Sequence, residues 1–391
     1  MKTDTWLPHV LCAIVGISAW IEVNALFSEL GIMKNLPEGR ALPSIVVMLV
    51  QIGNIFPLLF SLIPRKPELR WSMMLVLSLG IASLVFLSIL WEETYHIFGE
   101  ERSLMLYIGG FMAAGADCLS NIVFWPYVGQ FPRSYITAMG TGESLSSAVS
   151  AVVAASQKAA GFSPSWFFLI ILMIVILSST AFLYLETKYA RNLADQARMT
   201  AVELSSPLPI EEGDAATSRL EVPSWRSDIW VFAIIAGIAF VQNGLNPSLL
   251  PYACKGYSNA YWISQNALFV ASPVMSISAS FIKPRKSIFP AVFCWVISSV
   301  FIITAAASAT PLFTDQTVGK IVTVTVSIIS GASLAYSKVS AMLLLRSKRA
   351  PKGDRKFMQS LMTKAGIAMQ VGSVCGAVSM FLLIQVGKVF S

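Results

Sequence analysis

The stretch Trp20–Pro43, which reads WIEVNALFSELGIMKNLPEGRALP, decides how the chain is organised. It ends an apolar run of about 20 residues, the length of a membrane-crossing helix, and it places Glu22 and Asn24 inside that run. A carboxylate in the hydrocarbon region costs about 2.5–3.5 kcal/mol on insertion scales. A helix that accepts this cost hides its polar groups from lipid, so we expect the rest of the chain to supply the other walls of a polar interior.

The composition is that of a polytopic α-helical membrane protein. Of the 391 residues, 55% are hydrophobic and 13% are charged, and the mean hydropathy is +0.68, whereas soluble domains average about 25% charged residues. The apolar residues form runs of about 20, not the alternating segments of about 10 that a β-barrel needs. The net charge of +7 is spread over loops without an aromatic-basic module, so nucleic acid is not an expected partner.

Neither the cysteines nor the sequence motifs indicate an enzyme or a metal site. The five cysteines show no paired spacing, and four of them lie in apolar runs. The chain has no nucleotide-binding, hydrolase or kinase motif. We therefore predict no catalytic residue, no metal and no cofactor.

We predict eleven membrane-spanning helices with a long polar connection after the sixth. The connection at 187–227 is rich in Ser, Pro and acidic residues, and we expect it to be largely disordered. It divides the chain into a six-helix half (1–186), a cytoplasmic loop (187–227) and a five-helix half (228–391). The predicted spans cover about 6–27, 43–63, 71–91, 104–128, 134–156, 164–186, 228–251, 261–281, 288–308, 319–345 and 362–386.

The positions of Lys and Arg predict the orientation of these spans. With the N-terminus in the cytoplasm, 20 of the 28 basic residues lie on the cytoplasmic side, 7 lie outside and Lys338 lies within a span. Cytoplasmic loops carry the excess of basic residues, so we predict a cytoplasmic N-terminus and an extracellular C-terminus. Asn24 and Asn246 fall at similar depths in the first and seventh spans, which weakly indicates two parallel repeats. Gly372-xxx-Gly376 predicts a close helix crossing.

Charged side chains in or near the spans are candidates for gating or proton sensing. The functional interpretation is a substrate or proton site within the membrane. The alternative is an ion pair that joins helices, in which Lys338 pairs with Asp117 or Glu143. Glu22 is near enough to the predicted outer surface to reach water. The full set is Glu22, Glu29, Asp117, Glu143 and Lys338.

Amides and aromatic rings in the spans are candidates for substrate contact. An amide can read the edge of a heterocycle or join two helices, and an aromatic ring can stack on a flat substrate or simply pack. Asn121 and Asn243 share their stretches with aromatic residues and with prolines, which free backbone carbonyls. The predicted contacts are Trp20, Asn24, Asn121, Trp125, Asn243 and Tyr336.

Four stretches distributed over nearly the whole chain match one known family. They are Trp20 to Pro57, with Leu36-Pro37-Glu38-Gly39 and Gln51-Ile-Gly-Asn-Ile-Phe-Pro57; Ser120-Asn121 through Pro126; Asn243-Gly244 through Tyr257; and Ala335-Tyr-Ser-Lys338-Val with Ala365 to Phe381. On these residues the chain resembles the eukaryotic riboflavin transporters, solute carrier family 52. The resemblance implies eleven helices arranged as in nucleoside transporters and major facilitator proteins, and sodium-independent transport of riboflavin across a plasma membrane.

Riboflavin has the chemistry that the predicted contacts would suit. Its flat ring needs aromatic faces, its uracil-like edge needs paired donors and acceptors, and its neutral tail needs scattered polar groups. We predict transport by alternating access, with riboflavin and the lipid bilayer as partners and no obligate protein partner. Two alternatives stay open: a transporter of a nucleoside or related heterocycle, and a membrane receptor that does not transport.

Overall fold

Two short helices that meet at a sharp bend form the first membrane element. Helix α1 (Trp6–Ile17) and helix α2 (Ile21–Glu29) are bent by 49° relative to each other. The stretch chosen from the sequence therefore begins at a helix break. The structure, a computed structural model, describes residues 6–33, 35–64, 67–97, 99–192, 195, 229–279, 281–282, 284–348 and 355–390.

The rest of the first half is a series of helices joined by short connections. A 3-10 turn at Gly39–Ala41 leads into the third helix, and a β-hairpin precedes the sixth. This antiparallel hairpin pairs Tyr95 with Arg102 and was not predicted from the sequence. The elements are α3 (Leu42–Gly53), α4 (Ile55–Leu62), α5 (Leu69–Leu90), β1 (Tyr95–Ile97), β2 (Glu100–Arg102), α6 (Leu104–Val128), α7 (Arg133–Ala160) and α8 (Pro164–Lys188).

The second half repeats this pattern and includes two π-helical segments. One π segment, Val241–Leu245, separates the first two helices of this half, and the other, Leu382–Val386, follows the last helix. The helices are α9 (Ile229–Phe240), α10 (Asn246–Ala253), α11 (Ala260–Ser278), α12 (Pro284–Ala307), α13 (Gln316–Lys348) and α14 (Arg355–Phe381).

The helices make this a polytopic membrane protein. Within the described residues, eight helical segments are long and apolar enough to cross a membrane, and the bent α1–α2 pair brings the number to nine. Helices α7 and α11 coincide with the two other predicted spans. They contain 28 and 19 residues, so both are long enough to cross. Both are richer in polar residues than the eight apolar segments.

Equivalent helices make equivalent contacts in the two halves. Helix α1 packs on α7 as α9 packs on α14, and α5 packs on α6 as α12 packs on α13. The halves cross each other through α3 with α14 and through α7 with α11, which is the pattern of a two-fold repeat. The predicted glycine pair forms one of these contacts, because a Cβ at Gly372 would overlap the Ala236 carbonyl oxygen.

The two halves are joined at one end of the bundle and have separate cores at the other. We name these ends the α2–α3 end and the α4–α5 end, after the connections that lie there. At the α2–α3 end, Tyr261 and Trp262 pack on a first-half core, and Ala41 packs on a second-half core. At the α4–α5 end, the core around Phe124 and Phe182 contains first-half residues alone. The core around Leu344 there contains second-half residues alone.

Parts of the predicted topology fall outside the described residues. Helix α8 continues to Lys188, two residues into the segment predicted as a loop, and most of that loop (193–194 and 196–228) is not described. The same holds for ten of the basic residues used for the orientation: Lys2, Lys34, Arg65, Lys66, Arg198, Arg219, Arg226, Lys283, Arg349 and Lys352.

Candidate functional site: a broken helix held by polar side chains

Helix α6 bonds two of the backbone groups that the α1–α2 break leaves free. The Val23 N–H donates to Asp117 Oδ2 at 2.9 Å, and the Ser120 hydroxyl donates to the Ala19 carbonyl at 2.8 Å. Asp117 and Ser120 are three residues apart and therefore lie on one face of α6. Since a lipid-embedded helix end has no water to bond it, these side chains make the break possible.

A second carboxyl group lies beside Asp117. The Glu22 and Asp117 side chains approach within hydrogen-bonding range, and both residues are buried, at 1% and 0% exposure. Two carboxyl groups can hydrogen-bond to each other only when one of them holds a proton. Glu22 Oε1 also lies against Gly80 of α5, where a Cβ would have no room. The prediction that Glu22 is close enough to the surface to reach water is therefore wrong.

Three of the six predicted substrate contacts lie at this break, and a fourth, Trp125, follows on α6. The Trp20 indole N–H donates to Asn121 Oδ1 at 3.4 Å, so these two residues come together as an aromatic-amide pair. The Asn24 amide donates to Ser146 Oγ of α7 at 2.9 Å. Trp125 is 38% exposed, one turn beyond Asn121 on α6. The first half thus presents an indole, amides and an exposed ring within a few turns of one another.

The second half places an amide cluster at the crossing of α3 and α14. The Asn243 amide, in the π segment, donates to Ser373 Oγ at 3.0 Å, and the Gln51 amide from α3 donates to the same oxygen at 3.0 Å. One serine therefore joins both halves of the protein. The Gln51 Oε1 atom is buried without a hydrogen-bond partner. Nearby, Asn246 donates to Ser330 Oγ at 2.9 Å, which is interhelical bonding within the second half.

The remaining predicted residues lie on both sides of the interface between the halves. Among the described residues Lys338 forms no ion pair with either Asp117 or Glu143. Asp117 lies beside Glu22, and Lys338 is close enough to Glu143 to influence its charge. Tyr336 is 5% exposed, and its hydroxyl is buried without a hydrogen-bond partner. Among the described residues, no hydrogen bond joins Tyr336 to Trp20 or to Asn121.

Glu29 lies at the α2–α3 end, away from the helix break. Its Oε2 accepts a hydrogen bond from the Gln157 amide at 3.0 Å, and the residue is fully buried. Close by, Lys158 Nζ lies 3.9 Å from the centroid of the Trp262 ring, a cation–π contact between the halves. Gly31 also packs closely against Trp262, because a Cβ at Gly31 would lie 2.8 Å from Trp262 Cβ.

Sequence reasoning missed the residues that hold the candidate contacts in place. Ser120, Ser146 and Ser373 each accept or donate a key hydrogen bond, but serine is too common in these helices to stand out. Gln51 begins the Gln51–Pro57 stretch, and an amide inside an apolar run is a usable signal. Two cavities, of about 560 and 430 Å³, lie at the α2–α3 end, and neither is lined by a predicted substrate contact.

Comparisons with known proteins match the chain along its full length. A family profile described as "Solute carrier family 52, riboflavin transporter" matches residues 4–161 and 154–391. "Solute carrier family 52, riboflavin transporter, member 3-A" of Danio rerio is 28% identical, covering 98% of this chain and 96% of that protein. "Riboflavin transporter rft-1" of Caenorhabditis elegans is 29% identical, covering 97% of this chain and 96% of that protein.

Solved structures show the same fold at low sequence identity. A point mutant of the nucleoside transporter NupG has a TM-score of 0.57 at 11% identity, covering 97% of this chain and 91% of that one. A D-xylose-proton symporter has a TM-score of 0.59 at 14% identity, covering 97% and 88%. These likenesses confirm the predicted nucleoside-transporter and major-facilitator type of architecture.

Proposed function

The chain belongs to solute carrier family 52, the riboflavin transporters, and from this membership we propose that it carries riboflavin across a membrane. The single observation that carries the proposal is the family match over both halves, 4–161 and 154–391. Like its relatives, the chain is a transporter and not an enzyme. The finer proposals are eleven spans in a six-plus-five arrangement, transport without sodium, and a location in the plasma membrane.

The Trp20–Asn121 pair is the proposed contact for the flavin ring and its polar edge. An indole offers a flat face for stacking, and the Asn121 amide retains an N–H₂ group while its oxygen accepts from Trp20. Trp125 extends the aromatic surface on the same helix. The break between α1 and α2 supports this assignment, because interrupted helices line binding sites in many transporters.

The Gln51–Ser373–Asn243 cluster is the proposed contact on the opposite side. It contains two amides on one serine oxygen, and it links α3 of the first half to the π segment and α14 of the second half. A substrate that bonds both amides would therefore change the contact between the halves. Asn24 and Tyr336 are proposed as flanking contacts for the hydroxylated tail.

The unequal ends of the bundle support alternating access. The halves share packing at the α2–α3 end and have separate cores at the α4–α5 end. With the proposed cytoplasmic N-terminus, the joined α2–α3 end faces outward, so this conformer is closed to the outside. Lys158, Trp262 and Gly31 then form the outer gate, and separating them is the step that admits substrate.

Riboflavin uptake in auxotrophic cells tests the proposed function. Cells that depend on external riboflavin should grow and accumulate radiolabelled riboflavin when they express this chain, including when sodium is replaced by choline. Excess lumiflavin should compete, and excess uridine should not. Uptake equal to that of empty-vector cells, with surface expression verified, would sink the proposal, whereas competition by uridine alone would reassign the substrate to nucleosides.

Proton sensing by the carboxyl set is a separate proposal. Glu22 with Asp117 and Glu29 with Gln157 are two polar contacts that a proton could alter. Glu143, whose charge Lys338 influences, is the third candidate. Replacing a sensing Glu by Gln should flatten the dependence of uptake on pH between roughly pH 5 and 8. An unchanged profile in every variant would assign these residues to structure.

A further inference from the structure

A cavity of about 430 Å³ lies at the α2–α3 end, between the two halves. Its volume is within the range of about 300–1,000 Å³ that small-molecule sites occupy. One wall comes from Arg40 and its neighbours before α3, and the other comes from Lys255 and the connection between α10 and α11. None of the residues assigned above to riboflavin contact lines this space, so it is a separate feature of the molecule.

The cavity is electropositive. Arg40 and Lys255 line it, and no carboxylate is among the described residues that do so. The Glu38 carboxylate, two residues before Arg40 in the chain, is held elsewhere by the Ser103 N–H at 2.8 Å, the Ser103 hydroxyl at 2.7 Å and the Tyr107 hydroxyl. Burial raises the pKa of the lining Cys254 thiol to about 12. That thiol is therefore neutral, and the lining carries positive charge alone.

The cavity also has an aromatic wall. Tyr257, Tyr261 and Trp262 all line it. Tyr257 is fixed because its hydroxyl oxygen accepts the Phe313 N–H at 3.0 Å. Trp262 is held by its close packing on Gly31 and by Lys158 over one face of its ring. Rigid rings offer stacking area at little entropic cost. Aromatic faces beside an arginine fit a ligand that combines a flat ring with an anionic group.

We propose that this cavity is a second ligand site, which binds a flat heterocycle carrying a phosphate monoester. The choice of a flavin as the heterocycle rests on the proposed function. In this site the rings face the heterocycle, and Arg40, assisted by Lys255, binds the phosphate. The ligand lies at the mouth that the joined halves close, so its occupancy favours the closed state of the α2–α3 end.

Binding by the purified chain in phosphatidylcholine nanodiscs tests the proposal. Flavin mononucleotide or riboflavin is titrated into nanodiscs that contain the wild type or Arg40→Gln, and binding is followed by flavin fluorescence. Loss of a charge-assisted bond to phosphate should weaken flavin mononucleotide binding about tenfold and leave riboflavin binding unchanged. Raising ionic strength should weaken flavin mononucleotide binding alone, because salt screens exposed charges. Arg102→Gln is the matched control, since Arg102 lies at the same end but does not line the cavity.

Two results would overturn the second site. One is an affinity for flavin mononucleotide that is the same in the wild type, in Arg40→Gln and in Lys255→Gln. The other is a loss that is the same for riboflavin and flavin mononucleotide in Arg40→Gln, which would show no phosphate recognition. Failure of the proposed transport function has a different signature: wild-type cells would show no riboflavin uptake, while the nanodisc titration with flavin mononucleotide would still report on this cavity.

Discussion

Replacing Asp117 by Ala should destabilise the break between α1 and α2. Asp117 Oδ2 accepts the Val23 N–H at 2.9 Å, and the residue is fully buried. An unpaired buried donor costs about 1–3 kcal/mol, and the space left by the carboxyl group adds roughly 1 kcal/mol. We therefore expect the free energy of unfolding to fall by about 2–4 kcal/mol. Thermal unfolding of the purified protein, followed by tryptophan fluorescence, measures this loss.

Asp117→Asn is the matched control for that experiment. Asparagine retains a carbonyl oxygen that can accept the Val23 N–H, and it removes a buried carboxyl group from the side of Glu22. We expect Asp117→Asn to unfold close to the wild-type temperature and to keep most riboflavin uptake. An Asp117→Ala protein as stable as the wild type would refute the role of Asp117 as the cap of α2. Equal damage in both variants would show that the carboxyl group itself is required.

Three further predictions concern the contacts between helices. Gly372→Leu should prevent α9 from approaching α14, so that size-exclusion chromatography shows no folded protein. Gly366→Ala should be neutral, because its added Cβ meets nothing within 4 Å. Normal folding of Gly372→Leu would contradict the close crossing. Ser373→Ala should reduce riboflavin uptake several-fold because it leaves two amides without their acceptor, and the exposed Ser144→Ala should not; equal uptake in both would remove the amide cluster from the site. Trp262→Ala should loosen the α2–α3 end and raise labelling of cysteines placed there by a membrane-impermeant reagent, and unchanged labelling would contradict its role as a gate.

Run length was enough to predict the helices of this fold. An apolar run of about 20 residues has one stable conformation in a bilayer, the helix, because the helix satisfies its own backbone hydrogen bonds. The structure has helical residues at each predicted span. The hairpin at 95–102 could not be predicted in this way, because its strands have three residues each and are mostly exposed. The glycine pair at 372 and 376 was predictable, since only small residues permit such a close crossing.

The helix break could not be predicted from its own residues. Ser18, Ala19 and Trp20 include neither proline nor glycine, so local propensity gives no reason to interrupt the helix. The reason lies about 100 positions away, where Asp117 and Ser120 supply the hydrogen bonds that an unbroken helix would make internally. The carboxylates inside the apolar run indicated the correct region, because an ionisable group within a membrane costs free energy and is therefore a functional candidate.

The candidate contacts were predicted as residue types but not as partners. Trp20 and Asn121 were both chosen, and the structure joins them. Asn243 was chosen as well, but its connection to Gln51 passes through Ser373, 130 residues further along the chain. Such three-way contacts depend on how two helix crossings align, which single-sequence patterns do not specify.

Counterflow in proteoliposomes tests the central proposal most directly. Liposomes that contain the purified chain and are loaded with unlabelled riboflavin should accumulate external radiolabelled riboflavin transiently, above liposomes without internal riboflavin. Trp20→Ala and Asn121→Ala should each lower this accumulation when equal amounts of folded, reconstituted protein are compared. Saturable riboflavin binding without counterflow would contradict the account and would make the protein a receptor.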